Sequence, residues 1–198
     1  MRVGVFGGTF DPPHIGHLVA AEEARTQLNL ARVVFVPAGA PPHKLEEPVT
    51  SAIHRVEMIT RAATSNPHFF VSLTDVERSG PSYSVEMVRA LREKWGPDAE
   101  IHFIIGMDSL IDMPNWHRPD QLVSLCRLAV VDRPGYTADL GMLGQIIPGI
   151  SQKIDFVSMP LLDISSTELR RRASLGQALR YYVPDEVESY IQAHGLYA

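Results

Sequence analysis

With one cysteine, Cys126, among 198 residues, the chain has no intrachain disulfide framework. No apolar stretch approaches the roughly 18 residues that a bilayer-spanning helix needs. Met1-Arg2 leads directly into a strand pattern, not into a charged n-region followed by an apolar h-region. Positive charge is also scarce. Eighteen Lys and Arg against 23 Asp and Glu leave a formal net charge of −5, the wrong sign for binding nucleic acid through a broad basic surface. The expectation is a cytoplasmic protein with no membrane and no nucleic-acid partner. The Gly-x-Gly-x-x-Gly fingerprint of dehydrogenases does not follow the first strand, and the P-loop signature Gly-x-x-x-x-Gly-Lys-Ser/Thr is missing. His54, His68, His102 and His194 have no metal-ligand spacing, so no protein-held metal site is expected.

Hydrophobic residues make up 45% of the chain, enough for a full core at this length. Short apolar runs alternate with amphipathic helical patterns, the rhythm of βαβ units and a parallel sheet. Strands are expected at Arg2–Phe6, Arg32–Val36, Phe69–Leu73, Ile101–Ile105, Arg127–Val131 and Ile154–Val157. Helices are expected at Ile15–Leu28, Ser51–Ser65, Ser84–Lys94, around Gln145–Ile147, at Ser166–Leu175 and at Asp185–His194. No repeat or linker interrupts residues 1–198, which read as a single domain. The fold class is α/β, a Rossmann-like doubly wound parallel sheet with flanking helices. In such a sheet the ligand lies beyond the carboxyl ends of the strands, where the strand order switches.

The segment richest in chemistry follows the first strand: Gly7-Gly8-Thr9-Phe10-Asp11-Pro12-Pro13-His14-Ile15-Gly16-His17. Glycines let the backbone approach a ligand closely. His14 and His17, three residues apart, share one face of the helix that opens there. The helix N-terminus adds free N–H groups and a positive dipole end, so the ligand should be anionic. A histidine pair at a helix start can also be purely structural; the order strand, Gly-Gly turn, Pro-Pro, histidines is the one a phosphate-binding βα unit requires.

Four other segments also lie just after strands. Pro41-Pro42-His43-Lys44 reads alone as a surface loop, although Lys44 could offer a mobile charge to phosphate. Gly80-Pro81-Ser82-Tyr83-Ser84 is a turn and cap before a helix. Gly106-Met107-Asp108 either caps the next helix or sets a carboxylate against ribose hydroxyls, and Trp116, between Pro114 and Pro119, is either a core plug or a stacking platform. Ile164-Ser165-Ser166-Thr167-Glu168-Leu169-Arg170 is a capped helix start. Capping explains its serines, yet hydroxyls with Arg170 one turn later also make a phosphate receptor.

The histidine segment resembles the T/H-x-G-H motif of the nucleotidyltransferase superfamily, here in the form His-Ile-Gly-His. Class I aminoacyl-tRNA synthetases share that form, but they would need a second signature loop and tRNA-binding domains that 198 residues do not hold. Ile-Ser-Ser-Thr-x-x-Arg matches the superfamily's second phosphate segment at every position. Taken with VPAGAPPHK, GPSYSVEMVRALRE, FIIGMDSL, PNWHRPDQL and YYVPDEVESYI, the chain resembles the bacterial nicotinate mononucleotide adenylyltransferase family over essentially its whole length. Ser84 stands where a threonine is often found, and Met107 where a small residue is common.

The resemblance implies transfer of AMP from ATP to nicotinate mononucleotide, giving deamido-NAD and pyrophosphate, with Mg²⁺ carried on ATP. It implies His14, His17 and Arg170 as catalytic groups on the phosphates, with Ile164, Ser165 and Ser166 beside them. Gly8, Thr9 and Phe10 would supply backbone contacts to both nucleotides, and Gly106 and Asp108 would hold ATP or its neighbour. His43, Lys44, Tyr83, Ser84 and Trp116 would receive the mononucleotide, with Trp116 stacked on the pyridine ring. A homo-oligomer is left open. The competing non-enzymatic reading is a nucleotide sensor that binds ATP without turnover.

Overall fold

The computed structural model describes residues 1–41, 49–132 and 135–198. The strands are β1 (Arg2–Gly8), β2 (Arg32–Pro37), β3 (Phe69–Val71), β4 (Glu100–Gly106), β5 (Arg127–Val131) and β6 (Ile154–Val157). The helices are α1 (Ile15–Gln27), α2 (Ala52–Ala63), α3 (Ser84–Trp95), α4 (Met107–Asp112), α5 (Pro119–Leu125), α6 (Leu140–Ile146), α7 (Ser166–Ser174) and α8 (Asp185–Ala193). The six strands form one parallel sheet in the order β3-β2-β1-β4-β5-β6. After β3 the chain crosses back to the far side of β1, so β1 and β4 are neighbours and the winding direction reverses between them. That reversal opens a crevice at their carboxyl ends.

Both faces of the sheet are covered, and its strands are therefore apolar on both sides. Successive residues of a strand face opposite ways. Val3 and Val5, Val34 and Val36, and Phe103 and Ile105 pack into the cluster shared with α3, α4 and α5. Val33 and Phe35, Ile104, and Ala129 and Val131 point the other way, into the cluster shared with α1, α2, α7 and α8. Among the described residues no helix is long and apolar enough to cross a membrane.

The expected strands and long helices are all present, with ends shifted by a residue or two. β3 stops at Val71 instead of Leu73, and the helix expected around Gln145–Ile147 runs over Leu140–Ile146. α4 was expected only as the helix that Gly106-Met107-Asp108 would cap, and α5 was not expected as a helix. At six and seven residues they are too short to show a 3.6-residue period, and α5 starts from Arg118 in the left-handed region (φ 51°) with Pro119 at its first position.

The amino ends of β4, β5 and β6, opposite the crevice, are tied by charge. Arg127 donates two 2.7 Å hydrogen bonds to Asp155. Buried His102 lies 3.2 Å from the Glu100 carboxylate and 3.4 Å from that of Asp155. Burial pulls the His102 imidazole below its ordinary value, against the opposing pull of Glu100 and Asp155. The hydrogen bond from Arg127 lowers the Asp155 carboxyl, and that from Arg2 lowers Glu100. The native state then binds fewer protons than the unfolded chain once pH falls below the unfolded histidine value of 6.5. Stability should decline from there, and again below the ordinary carboxylate values of 4.5 and 3.8. Thermal melts across pH 7 to about 3 check this; His102→Asn should flatten the upper part of the curve, and superimposable curves would contradict the assignment.

Candidate active site

β1 carries the chain to the crevice and pairs with β2 as far as Gly8 opposite Pro37, two residues beyond the expected strand end. Phe10 then turns the backbone through the left-handed region (φ 52°), a costly conformation for an aromatic residue, and its ring is buried. His14 follows as the N-cap of α1.

His17 is held on every side. Its Nδ1 accepts the main-chain N–H of His14 at 3.1 Å. Because an amide N–H can only donate, the neutral ring carries its proton on Nε2. The His14 ring stacks on it with centroids 3.7 Å apart. The rings of Phe6 and Phe10 meet it edge-on at 5.9 and 5.2 Å. The imidazole is thus a preoriented donor. Gly16 between the two histidines gives them room: a Cβ there would stand 3.0 Å from His14 Nδ1 and the ring would have to give way slightly.

A cavity of about 310 Å³ opens in front of this pair. Its walls include His14, His17, Gly106, Asp108, Ile164, Ser165 and Ser166, so seven of the expected site residues meet there. Ser165 is the N-cap of α7, its hydroxyl accepting the Glu168 N–H at 3.3 Å. It is therefore both a cap and a wall of the cavity. The cap residues of α1 and α7 both face the same space, so two helix N-termini converge on it and favour an anion. The Asp108 carboxylate folds back against Gly106, so a side chain at that position would have to push it aside.

A second cavity of about 320 Å³ lies on the β2 side. Gly8, Thr9, Tyr83, Ser84 and Trp116 line it, together with Asp75. The two cavities share Phe6, Ile105, Gly106 and Ser109, and so abut across the ends of β1 and β4. Trp116 is partly buried and also faces the second cavity. It packs against the Phe103 cluster and is a cavity wall, with its indole N–H donating to Asp112 at 3.3 Å. Tyr83 stacks on His117 at 4.1 Å.

Three groups of expected residues lie off the cavity in front of the histidines. Gly8 and Thr9, expected to serve both nucleotides, line only the second cavity, because the longer β1 carries them toward β2. Phe10 lines neither, its ring being in the core. Arg170 lines neither as well: one amino group donates to the Asp11 carbonyl at 2.9 Å and the other reaches Thr167 at 3.4 Å. His43 and Lys44 lie outside the described residues.

Some residues escaped sequence reasoning. Arg55 on α2 is 1% exposed and donates to three carbonyls: Thr50 at 2.8 Å, Thr9 at 2.9 Å and Gly39 at 3.4 Å. It braces the loops after β1 and β2 from beneath. Burial pulls its guanidinium below the ordinary range while the Asp11 carboxylate opposes this. The signal was available, since Arg55 occupies the same helix face as buried Met58, Ile59, Ala62 and Ala63. A cation on an apolar stripe demands partners. Asp75, buried and accepting from Gly39 N–H and from Arg78, carries no such mark in the sequence. Cys126 is no nucleophile candidate, because burial pushes its thiol up to about 12.

The cytidylyltransferase-like family model matches residues 5–172. A probable nicotinate-nucleotide adenylyltransferase of Thermomicrobium roseum is 45% identical, over 99% of this chain and 91% of the relative. Another, from Moorella thermoacetica, is 41% identical over 99% and 91% of the two chains. In fold, the chain is similar to Plasmodium falciparum nicotinic acid mononucleotide adenylyltransferase complexed with NaAD. The TM-score is 0.80 at 20% identity, with 99% of this chain and 97% of that one covered. Two abutting cavities, a histidine pair between converging helix ends and these likenesses point one way: the chain belongs to the cytidylyltransferase-like family and, within it, to the nicotinate-nucleotide adenylyltransferases.

Proposed function

We propose that this chain transfers AMP from ATP to nicotinate mononucleotide. The observation that carries the reading is the pair of cavities joined at Gly106 and Ser109, with the histidines on the wall of one and the indole on the wall of the other. ATP takes the His14, His17 and Ser165 side, and the mononucleotide takes the Tyr83, Ser84 and Trp116 side. A phosphate oxygen of the mononucleotide attacks the α-phosphorus of ATP in line. The bond between the α-phosphorus and its bridging oxygen breaks, and pyrophosphate leaves with the electron pair. The result is nicotinate adenine dinucleotide, and no enzyme-bound intermediate is required.

The protein's work is placement and charge stabilisation. His17 Nε2–H donates to the α-phosphate oxygens, stacked His14 lies alongside on the phosphates, and the N-terminus of α7 with Ser165 and Ser166 receives the outer phosphates. Arg170 acts on this end by docking α7 to the Asp11 carbonyl. Asp108 holds the ATP ribose or the neighbouring substrate.

Magnesium fits as an ion carried by the triphosphate. Among the described residues no cluster of three or more His, Cys, Asp or Glu could hold a metal. Magnesium commonly takes one or two carboxylates and completes its shell with phosphate oxygens and water. Asp108 and Asp132 on the cavity wall are the acids that suit such a place. The ion supplies charge neutralisation on the phosphates. A cytoplasmic place of action goes with this reading.

ATP made chiral by sulfur at the α-phosphorus provides the test. Incubation with nicotinate mononucleotide should give dinucleotide and pyrophosphate in equal amounts, with inverted configuration at phosphorus. Retained configuration would point to a nucleotidylated enzyme, and AMP without dinucleotide would contradict the transfer altogether.

A further inference from the structure

The loop that presents the histidines is tied, at one residue, to three other parts of the chain. Asp11 is 2% exposed. One carboxylate oxygen accepts the Thr50 N–H ahead of α2 at 3.1 Å, and the other accepts the Tyr197 hydroxyl at 2.6 Å. Its main-chain carbonyl accepts Arg170 Nη1 from α7 at 2.9 Å, and the next carbonyl, of Pro12, accepts the Ser166 hydroxyl at 2.8 Å. His14 follows two residues later. The peptide that α7 docks on is therefore the peptide whose side chain Tyr197 holds.

Tyr197 stands after α8, in neither cavity, with its ring packed among the side chains beneath α1 and α2. Its backbone is in the left-handed region at φ 67°, directly after Leu196, whose N–H bonds back to Ile191. That turn delivers the hydroxyl to Asp11. Without it, a carboxylate oxygen in a buried position loses its partner, and Asp11 relaxes toward Thr50 or toward the Arg55 cation. Either movement shifts the carbonyls on which Arg170 and Ser166 rest. The gap between the histidines on α1 and the caps on α7 would then change.

We propose that Tyr197 is a positioning residue for the triphosphate half of the site. Its hydroxyl, through Asp11, sets the distance between the two helix N-termini that receive ATP. The inference rests on the adenylyl-transfer reading for its assignment of that cavity to ATP. It adds a residue that touches neither substrate and that the sequence motifs do not contain.

Tyr197→Phe keeps the ring and removes only the donor, so the core beneath α1 and α2 stays filled. The expected result is an ATP KM raised about tenfold and kcat lowered by a similar factor. The KM for nicotinate mononucleotide should rise less than that for ATP, because the Asp75 and Ser82 bonds that hold its walls involve neither Asp11 nor Tyr197. A purely structural loss would lower the active fraction and leave both KM values alone, and that outcome overturns the proposal. Calorimetric binding of a non-hydrolysable ATP analogue separates this test from the reaction itself. If the wild-type chain formed no dinucleotide, the proposed function would fall, while the analogue's affinity for Tyr197→Phe against wild type would still judge Tyr197. Equal analogue affinity in the two proteins overturns the proposal. Asp11→Asn combined with Tyr197→Phe should weaken the analogue by less than the product of the two single effects, since the Tyr197 hydroxyl acts through the Asp11 side chain. Effects that multiply would mean that Tyr197 acts elsewhere. Should Asp11→Asn fail to fold, the single Tyr197→Phe measurement decides.

Discussion

His17→Ala is expected to lower kcat by about 10²-fold or more, the usual cost of a lost preoriented donor at developing charge. The main-chain N–H of His14 fixes which ring nitrogen carries the proton, and Phe6, Phe10 and His14 fix where the ring points. No reorganisation is then needed when charge shifts on the α-phosphate. Removing the ring also leaves the His14 N–H without that acceptor, at a cost of about 1–3 kcal/mol. The melting temperature should therefore drop by several degrees while the protein remains folded at assay temperature. Steady-state kcat at saturating ATP and mononucleotide, with circular dichroism on the same sample, checks both parts. A folded variant with near-wild-type kcat would remove His17 from the mechanism.

The second large effect concerns the acid against the amide. Nicotinate and nicotinamide mononucleotides differ only in a carboxylate in place of a carboxamide. In the proposed placement that substituent would meet the start of α3, where Ser84 brings a hydroxyl and the first-turn N–H groups of Ser84 and Val85 have no carbonyl within their helix. The Glu86 and Met87 amides are already bonded to the Tyr83 carbonyl. Such a lining offers donors. A carboxylate satisfies them, whereas the amide's own N–H₂ meets them head-on and leaves buried polar groups unpaired. At about 1–3 kcal/mol for each unpaired group, two give roughly 10²–10⁴-fold discrimination in kcat/KM. In the same placement Trp116 would read the ring instead. Trp116→Ala should weaken both substrates to the same extent and leave their ratio intact, as kcat/KM for each against each enzyme will show. A ratio that collapsed in Trp116→Ala would move the choice from the α3 terminus to the indole loop.

The sheet was legible because its strands are buried on both faces and appear as uninterrupted apolar runs. The reversal between β1 and β4 is a matter of strand order, which local patterning does not carry; the sequence showed only that the ligand-facing segments each fall just after a strand. The phosphate cavity was legible for a related reason, since its groups sit at two helix starts with fixed local spacing. Ser165 needs its cap geometry whatever it binds, and His14 and His17 must share a face. What stayed hidden depends on contacts far apart in the chain. Asp75 becomes a cavity wall only because Gly39 and Arg78 hold its carboxylate. Arg170 has the sequence position of a phosphate ligand, but its guanidinium is directed by the Asp11 carbonyl, 159 residues away. α4 and α5 are built from six and seven residues, too few for periodicity to separate helix from loop. Arg55 is the instructive case. Its spacing placed it on a buried face, and the burial of a cation there was itself the clue to the brace beneath the site.

Pyrophosphate release with a panel of acceptors tests the central claim most directly. The wild-type chain, given ATP and magnesium, would be offered nicotinate mononucleotide, nicotinamide mononucleotide, phosphopantetheine and FMN in parallel. The account predicts fast release with nicotinate mononucleotide, matched mole for mole by nicotinate adenine dinucleotide. It also predicts a rate at least about 10²-fold lower with the amide, the lower end of the two-group estimate. Preferred release with phosphopantetheine or FMN, or equal use of amide and acid, would contradict it.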